Sequence, residues 1–237
     1  MTRTTILIDG TFLQRRHQAL LPDRQEISPH YLCKDFYTYA LRHLDRGEQL
    51  QKIFYYDTPP ATHTVIHPIS GEELDLSKSA ASERKAELHR ELKQQRKMVI
   101  RIAPPNPHNA WTFTRNTFDR LLNGEQGLDE LEMSDMILPQ GRKGLDTMMA
   151  VDITFLSLRH FADKIILISS NDGLLDAAKM ARREGLDFVL DPVRAEVAER
   201  FLEHVDGLQS RHLGPGQSKK SEEEAEDFQI NRTSNGR

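Results

Sequence analysis

Short apolar runs that stop abruptly at turn residues alternate along this chain with longer stretches whose apolar residues recur at helical spacing. Thr5-Ile6-Leu7-Ile8 ends in Asp9-Gly10, and Ile53-Phe54-Tyr55-Tyr56 is closed by Asp57-Thr58-Pro59-Pro60. Val99 to Ala103 stops at Pro104-Pro105, Lys164 to Ser169 is almost wholly aliphatic, and Leu186 to Leu190 leads into Asp191-Pro192. Runs this short and this continuously apolar predict strands buried on both faces, as in a parallel sheet. Between them, Tyr31 to Leu44 places Leu32, Phe36, Tyr39, Ala40 and Leu41 on one helical face, with Gly47 as a stop. Ser82 to Lys93 is dense in helix formers, Thr147 to His160 carries Met149, Ile153 and Leu156, and Asp172 to Glu184 repeats Leu175, Ala178 and Met180 before Gly185. Val193 to Val205 reads as a closing helix, and Met136-Ile137-Leu138 as a strand edge. Residues 61–77 receive no regular assignment. Residues 106–134 fit either an insertion forming a binding lip or an ordinary helix from Arg115 to Asn123. Alternating β and α elements predict an α/β fold built on a doubly wound parallel sheet.

Composition narrows this picture. The 237 residues are 38% hydrophobic and 29% charged, and mean hydropathy is −0.59. That suits one globular core, expected over residues 1–208, followed by a polar tail over 209–237 whose composition predicts disorder and suits the recruitment of a protein partner. A formal charge of −4 and a pI near 6.2 argue against a protein that coats nucleic acid indiscriminately, although a local basic groove remains compatible with them. The single cysteine, Cys33, rules out an intrachain disulfide and a thiolate zinc cluster and fits a reducing compartment. No secretory leader and no apolar stretch of about eighteen residues is present, so the expected location is cytoplasmic, away from any membrane.

The chemistry lies in acids at predicted strand ends and helix starts: Asp9, Asp146 after Gly144-Leu145, and Asp172 with Asp176 after the 165–170 strand. In an open parallel sheet the carboxyl ends of the strands line one crevice, so such acids can converge on a hard cation such as Mg²⁺. Asp172 and Asp176, four apart, share a face if a helix begins directly after Asp172. Plainer explanations stand beside this one. Asp146 fits a helix N-cap, Asp9-Gly10 fits turn chemistry, and Asp176 fits a first-turn acid favoured by the helix dipole. Asp152 lies about 240° around an ideal helix from Asp146 and fits a solvated or packing role.

Ile6-Leu7-Ile8-Asp9-Gly10, Tyr55-Tyr56-Asp57, Lys143-Gly144-Leu145-Asp146 followed by Val151-Asp152, and Ser170-Asn171-Asp172 together resemble the NYN branch of the PIN-like nuclease superfamily, over most of residues 4–206. The segment Ser170-Asn171-Asp172-Gly173-Leu174-Leu175-Asp176 is similar to the variant found in Regnase-like members. The resemblance implies a PIN-like sheet, Mg²⁺ or Mn²⁺ at an acidic centre, hydrolysis of RNA phosphodiesters, and often a homodimer. It assigns Asp9, Asp146 and Asp172 as metal carboxylates, Asp176 as ligand or water-orienting acid, and Asp152 as a supporting acid. Arg142, Lys143, Ser170 and Asn171 fall on the substrate side. Phe12 and Leu174 stand where many relatives carry Asn and Asp. Two rivals are a catalytically decayed PIN-like module that binds RNA or protein, and a haloacid-dehalogenase-type phosphatase, whose nucleophilic aspartate would fall at Leu7.

Overall fold

Six parallel strands form the centre of the molecule in the order β10-β9-β8-β1-β2-β5. The computed structural model describes residues 1–104, 110–138 and 144–215. In chain order the elements are β1 (Thr2–Asp9), α1 (Gly10–Leu20), α2 (Pro29–Leu41), β2 (Glu48–Asp57), β3 (Thr64–Ile66), β4 (Glu73–Asp75), α3 (Ala80–Gln94) and β5 (Met98–Ile102). There follow β6 (Thr112–Phe113), α4 (Arg115–Leu122), β7 (Met136–Ile137), α5 (Leu145–Leu158), β8 (Lys164–Ile168), α6 (Leu175–Arg183), β9 (Asp187–Asp191), α7 (Glu199–Leu202) and β10 (Gly207–Leu208). The chain builds outward from β1 in one direction through β2 and β5, then returns to its other side for β8, β9 and β10. The order therefore reverses between β1 and β8, which is where open α/β sheets bind ligands.

Side-chain alternation divides the core in two. Ile6, Ile8, Tyr55, Ile166 and Ile168 pack with Phe12 and Leu13 of α1, Phe36 of α2 and Leu88 of α3. Leu7, Tyr56, Ile165 and Leu167 pack on the opposite face with Met149 and Ile153 of α5, Ala178 of α6 and Phe201 of α7. Strands buried on both sides explain the unbroken aliphatic runs. The predicted doubly wound sheet is the observed fold. Among the described residues no helix is long and apolar enough to cross a membrane.

Several elements differ from the sequence reading. Residues 10–20, to which the sequence pattern assigns no element, form α1: its polar face carries Arg15 and Gln18, and its buried side chains include Phe12, Leu13 and His17. Residues 64–75 hold an antiparallel hairpin, β3–β4. Met136-Ile137 pairs antiparallel with Thr112-Phe113 in a separate ribbon outside the main sheet. The closing helix shrinks to the four residues of α7, because Pro192 is followed by Val193 and Arg194 at φ 47° and 59°, a left-handed turn that no helix can begin with. The ordered fold also continues past residue 208: Gln209 N donates to the Leu190 carbonyl (2.9 Å), Arg42 holds the His212 and Gly214 carbonyls, and Leu213 is buried.

Candidate functional site at the carboxyl edge

Parallel strands with helical crossovers bring strand ends and the starts of the following helices to one edge. Asp9 ends β1 and Ser169 follows β8, side by side across the reversal point. Asp9 is buried at 1% exposure; its Oδ1 accepts from Phe12 N (3.0 Å), capping α1, and its Oδ2 lies 3.5 Å from Ser169 Oγ. Ser169 Oγ in turn accepts from Asn171 N (3.1 Å), and Asn171 Oδ1 accepts from Gly173 N (3.0 Å), which fixes the turn after β8. Asp146 sits half-buried in the first turn of α5, at the same end of the sheet. By alternation Asp9 and Ser169 face the layer that contains α5. Ser170 lies half-buried beside them.

Asp172, Asp176 and Asp152 are placed differently from the sequence expectation. A 3-10 turn over Asp172–Leu174 precedes α6, so Asp172 and Asp176 do not share a helical face. Asp172 turns to Arg200 of α7, whose Nε donates at 3.0 Å and whose second nitrogen lies closer still. Asp176 points to solvent, 97% exposed, with Lys179 at 3.6 Å. Asp152 accepts from the Tyr56 hydroxyl (2.8 Å) and pairs with Arg101 (3.2 Å), well down α5 from the edge. Burial, then the Asp152 charge, raises the Tyr56 phenol far above its ordinary range, so it remains a donor. Arg142 and Lys143 lie outside the described residues. Phe12 and Leu174 are core residues, at 6% and 0% exposure, which accounts for their apolar side chains.

Two further strand-end acids, to which the sequence pattern gives no site role, are deeply buried. Asp57, at the end of β2, is fully buried and accepts from Thr58 N (2.8 Å), His89 Nε2 (3.0 Å), Lys85 Nζ (3.1 Å), Gln14 Nε2 (3.2 Å) and Thr11 Oγ1 (3.3 Å). Burial raises its pKa, but the His89 hydrogen bond and the Lys85 charge outweigh that effect and hold the carboxyl below its ordinary value. Asp191, at the end of β9, accepts from the Tyr39 hydroxyl, His43 Nε2 (2.7 Å), Val193 N (2.7 Å) and Ser210 Oγ (2.7 Å). Both face the α1–α3 layer and lock helices to the sheet. The signal that singled out Asp9, an acid closing an apolar run, was present at both.

Hard oxygen donors at this edge suit Mg²⁺ or Mn²⁺. Among the described residues no group of three or more His, Cys, Asp or Glu is close enough together to hold an ion. Asp9 and Asp146 are then the carboxylates best placed by topology, and one or two suffice for Mg²⁺ when substrate phosphate and water complete its shell.

No family model and no curated protein matches the chain. Among solved structures, a protein of unknown function from Vibrio parahaemolyticus is similar at a TM-score of 0.48 and 9% identity, over 87% of this chain and 91% of that one.

Proposed function

We propose that this chain is a divalent-cation-dependent endoribonuclease of the NYN, PIN-like kind. The observation that carries the reading is the meeting of Asp9 and Ser169 at the point of strand-order reversal, with Asp146 opening α5 at the same edge. Asp9 and Asp146 would hold Mg²⁺ or Mn²⁺, which supplies polarisation of the phosphoryl oxygen and a water of lowered pKa. The protein's own part is positional. The α1 cap fixes the Asp9 carboxylate, the Ser169-Asn171 chain fixes the turn beside it, and the Asp57 cluster holds the first turn of α1 through Thr11 and Gln14. RNA as substrate and a homodimer belong to the same reading through the resemblance, and a cytoplasmic setting joins it through the single cysteine Cys33. One observation favours the rival binding module: Asp172 is neutralised by Arg200, which makes it a poorer metal ligand.

The test is cleavage of an end-labelled RNA pool by wild type and Asp9→Asn, with Mg²⁺, Mn²⁺ and EDTA. Asparagine caps a helix as well as aspartate does, so the variant keeps the fold while losing the charge. Wild-type cleavage that EDTA abolishes and Asp9→Asn lowers about a hundredfold or more is expected, by the scale of losing one charge-stabilising group. Equal cleavage by both proteins would remove the enzyme claim.

A further inference from the structure

On the α5 side of the sheet, away from the carboxyl edge, a cavity of about 350 Å³ opens beside Thr5 of β1 and Gln51, Lys52 and Phe54 of β2. That volume falls within the range of small-molecule sites, roughly 300–1,000 Å³. A fault in the sheet shapes it. Thr4 pairs with Leu50 but Thr5 with Lys52, so Gln51 is an extra residue in β2. The bulge inverts the facing of the strand. Leu50 packs in the α1–α3 layer, whereas Phe54 and Tyr56, of the same parity, pack in the α5 layer. Bulges are rare in parallel pairs and tend to re-aim side chains near functional sites. Here both Gln51 and Lys52 line the cavity.

The remaining walls are mostly aromatic and cationic, with Leu156 and the carboxylate of Asp152 completing them. Phe155 of α5 and Phe161 are 48% and 52% exposed and meet edge to face, with ring centroids 5.7 Å apart at 70°. The Arg101 guanidinium lies 5.4 Å from the Phe54 ring centroid. Two of the cations are already matched: Arg101 pairs with Asp152, and Arg3 with Asp163. Lys52 is exposed and makes no ion pair among the described residues. An unmatched ammonium, a glutamine that can both donate and accept, and half-exposed aromatic faces fit a planar heterocycle carrying an anion.

We infer that this cavity binds a nucleotide, free or as one unit of single-stranded RNA, with the base on Phe155 and Phe161 and the phosphate on Lys52. Phe155 is nine residues from Asp146 along α5, about 14 Å at the helical rise, so this is a second site and does not depend on the nuclease reading.

Calorimetry of the full chain in EDTA tests it, titrating uridine 5′-monophosphate and, separately, a short oligouridylate. Saturable binding of either is expected, weakened about tenfold or more by Lys52→Glu and by Phe155→Ala, on the scale of base stacking on an aromatic side chain. Both side chains are exposed, so melting temperatures should not move. Binding of the monophosphate assigns a free-nucleotide pocket; binding of the oligomer alone assigns a subsite for an RNA strand. Asp9→Asn should bind as wild type does, which keeps this outcome separate from that of the cleavage assay. The inference is overturned if neither probe binds, if both cavity variants bind normally, or if Asp9→Asn alone abolishes binding.

Discussion

Replacing Asp57 with alanine would expose how much of the carboxyl edge rests on one buried carboxylate. The side chain is fully buried and receives five hydrogen bonds, while its charged neighbours retain little access to water: Lys85 is 15% exposed and His89 7%. Alanine leaves an ammonium and an imidazole turned towards a space lined only by donors. Breaking a buried ion pair from one side costs about 3–5 kcal/mol. Against a typical total stability of about 5–15 kcal/mol this is a large fraction. In urea, with a slope of about 1–3 kcal/mol per molar, the unfolding midpoint should fall by roughly 1 M or more. A triple variant, Asp57→Leu with Lys85→Met and His89→Leu, should recover most of the loss, since buried ion pairs replaced together by apolar groups are often near neutral. Equilibrium unfolding followed by circular dichroism measures both. An Asp57→Ala unfolding free energy within about 1 kcal/mol of wild type, or a triple variant as unstable as the single, would refute the reasoning.

Gly10→Ala should destabilise by about 1–3 kcal/mol, because a Cβ there would meet the buried Tyr55 ring at 2.4–2.7 Å; unchanged thermal melting would show that the ring yields freely. Acid should weaken the fold. Asp57 is held below its ordinary pKa, and the Arg3 hydrogen bonds bring Asp163 down to about 2, so the unfolded chain takes up protons first. Their contribution is therefore complete above about pH 5 and lost as pH falls towards 2; urea midpoints that rise from pH 5 to pH 3 would contradict this sign. Cys33 is 1% exposed, and burial pushes its thiol up to about 12, so a thiol reagent should label it only as fast as the chain opens. Immediate stoichiometric labelling of the native protein would count against that placement.

What the sequence discloses follows from how each residue is buried. Strands covered on both faces cannot disguise their apolar runs, so the five apolar runs lie in the main sheet, whereas the short Met136-Ile137 edge pairs in a separate ribbon, and the doubly wound order follows from the alternation of those runs with helices. Helix α1 hides because it buries little: Phe12, Leu13 and His17 do the packing beneath Arg15 and Gln18, and so thin an apolar stripe is lost among polar residues. The Asp172–Asp176 spacing depends on where a helix starts, and a 3-10 turn of three residues separates the two side chains. Asp57 and Asp191 pass as turn acids because their partners, His89 with Lys85 in α3 and Tyr39 in α2 with His43 just beyond it, come from segments distant in sequence. Local pattern carries no information about such pairings. The Asp172–Arg200 pair is invisible for the same reason, since it joins a strand end to a four-residue helix 28 positions away.

The most direct measurement is calorimetric titration of Mn²⁺ into the metal-free wild type, Asp9→Asn and Asp146→Asn. The acidic-edge account predicts a saturable site in wild type that Asp9→Asn and Asp146→Asn each weaken severely while both variants remain folded. Absence of saturable heat in wild type, or equal binding by all three proteins, would contradict it.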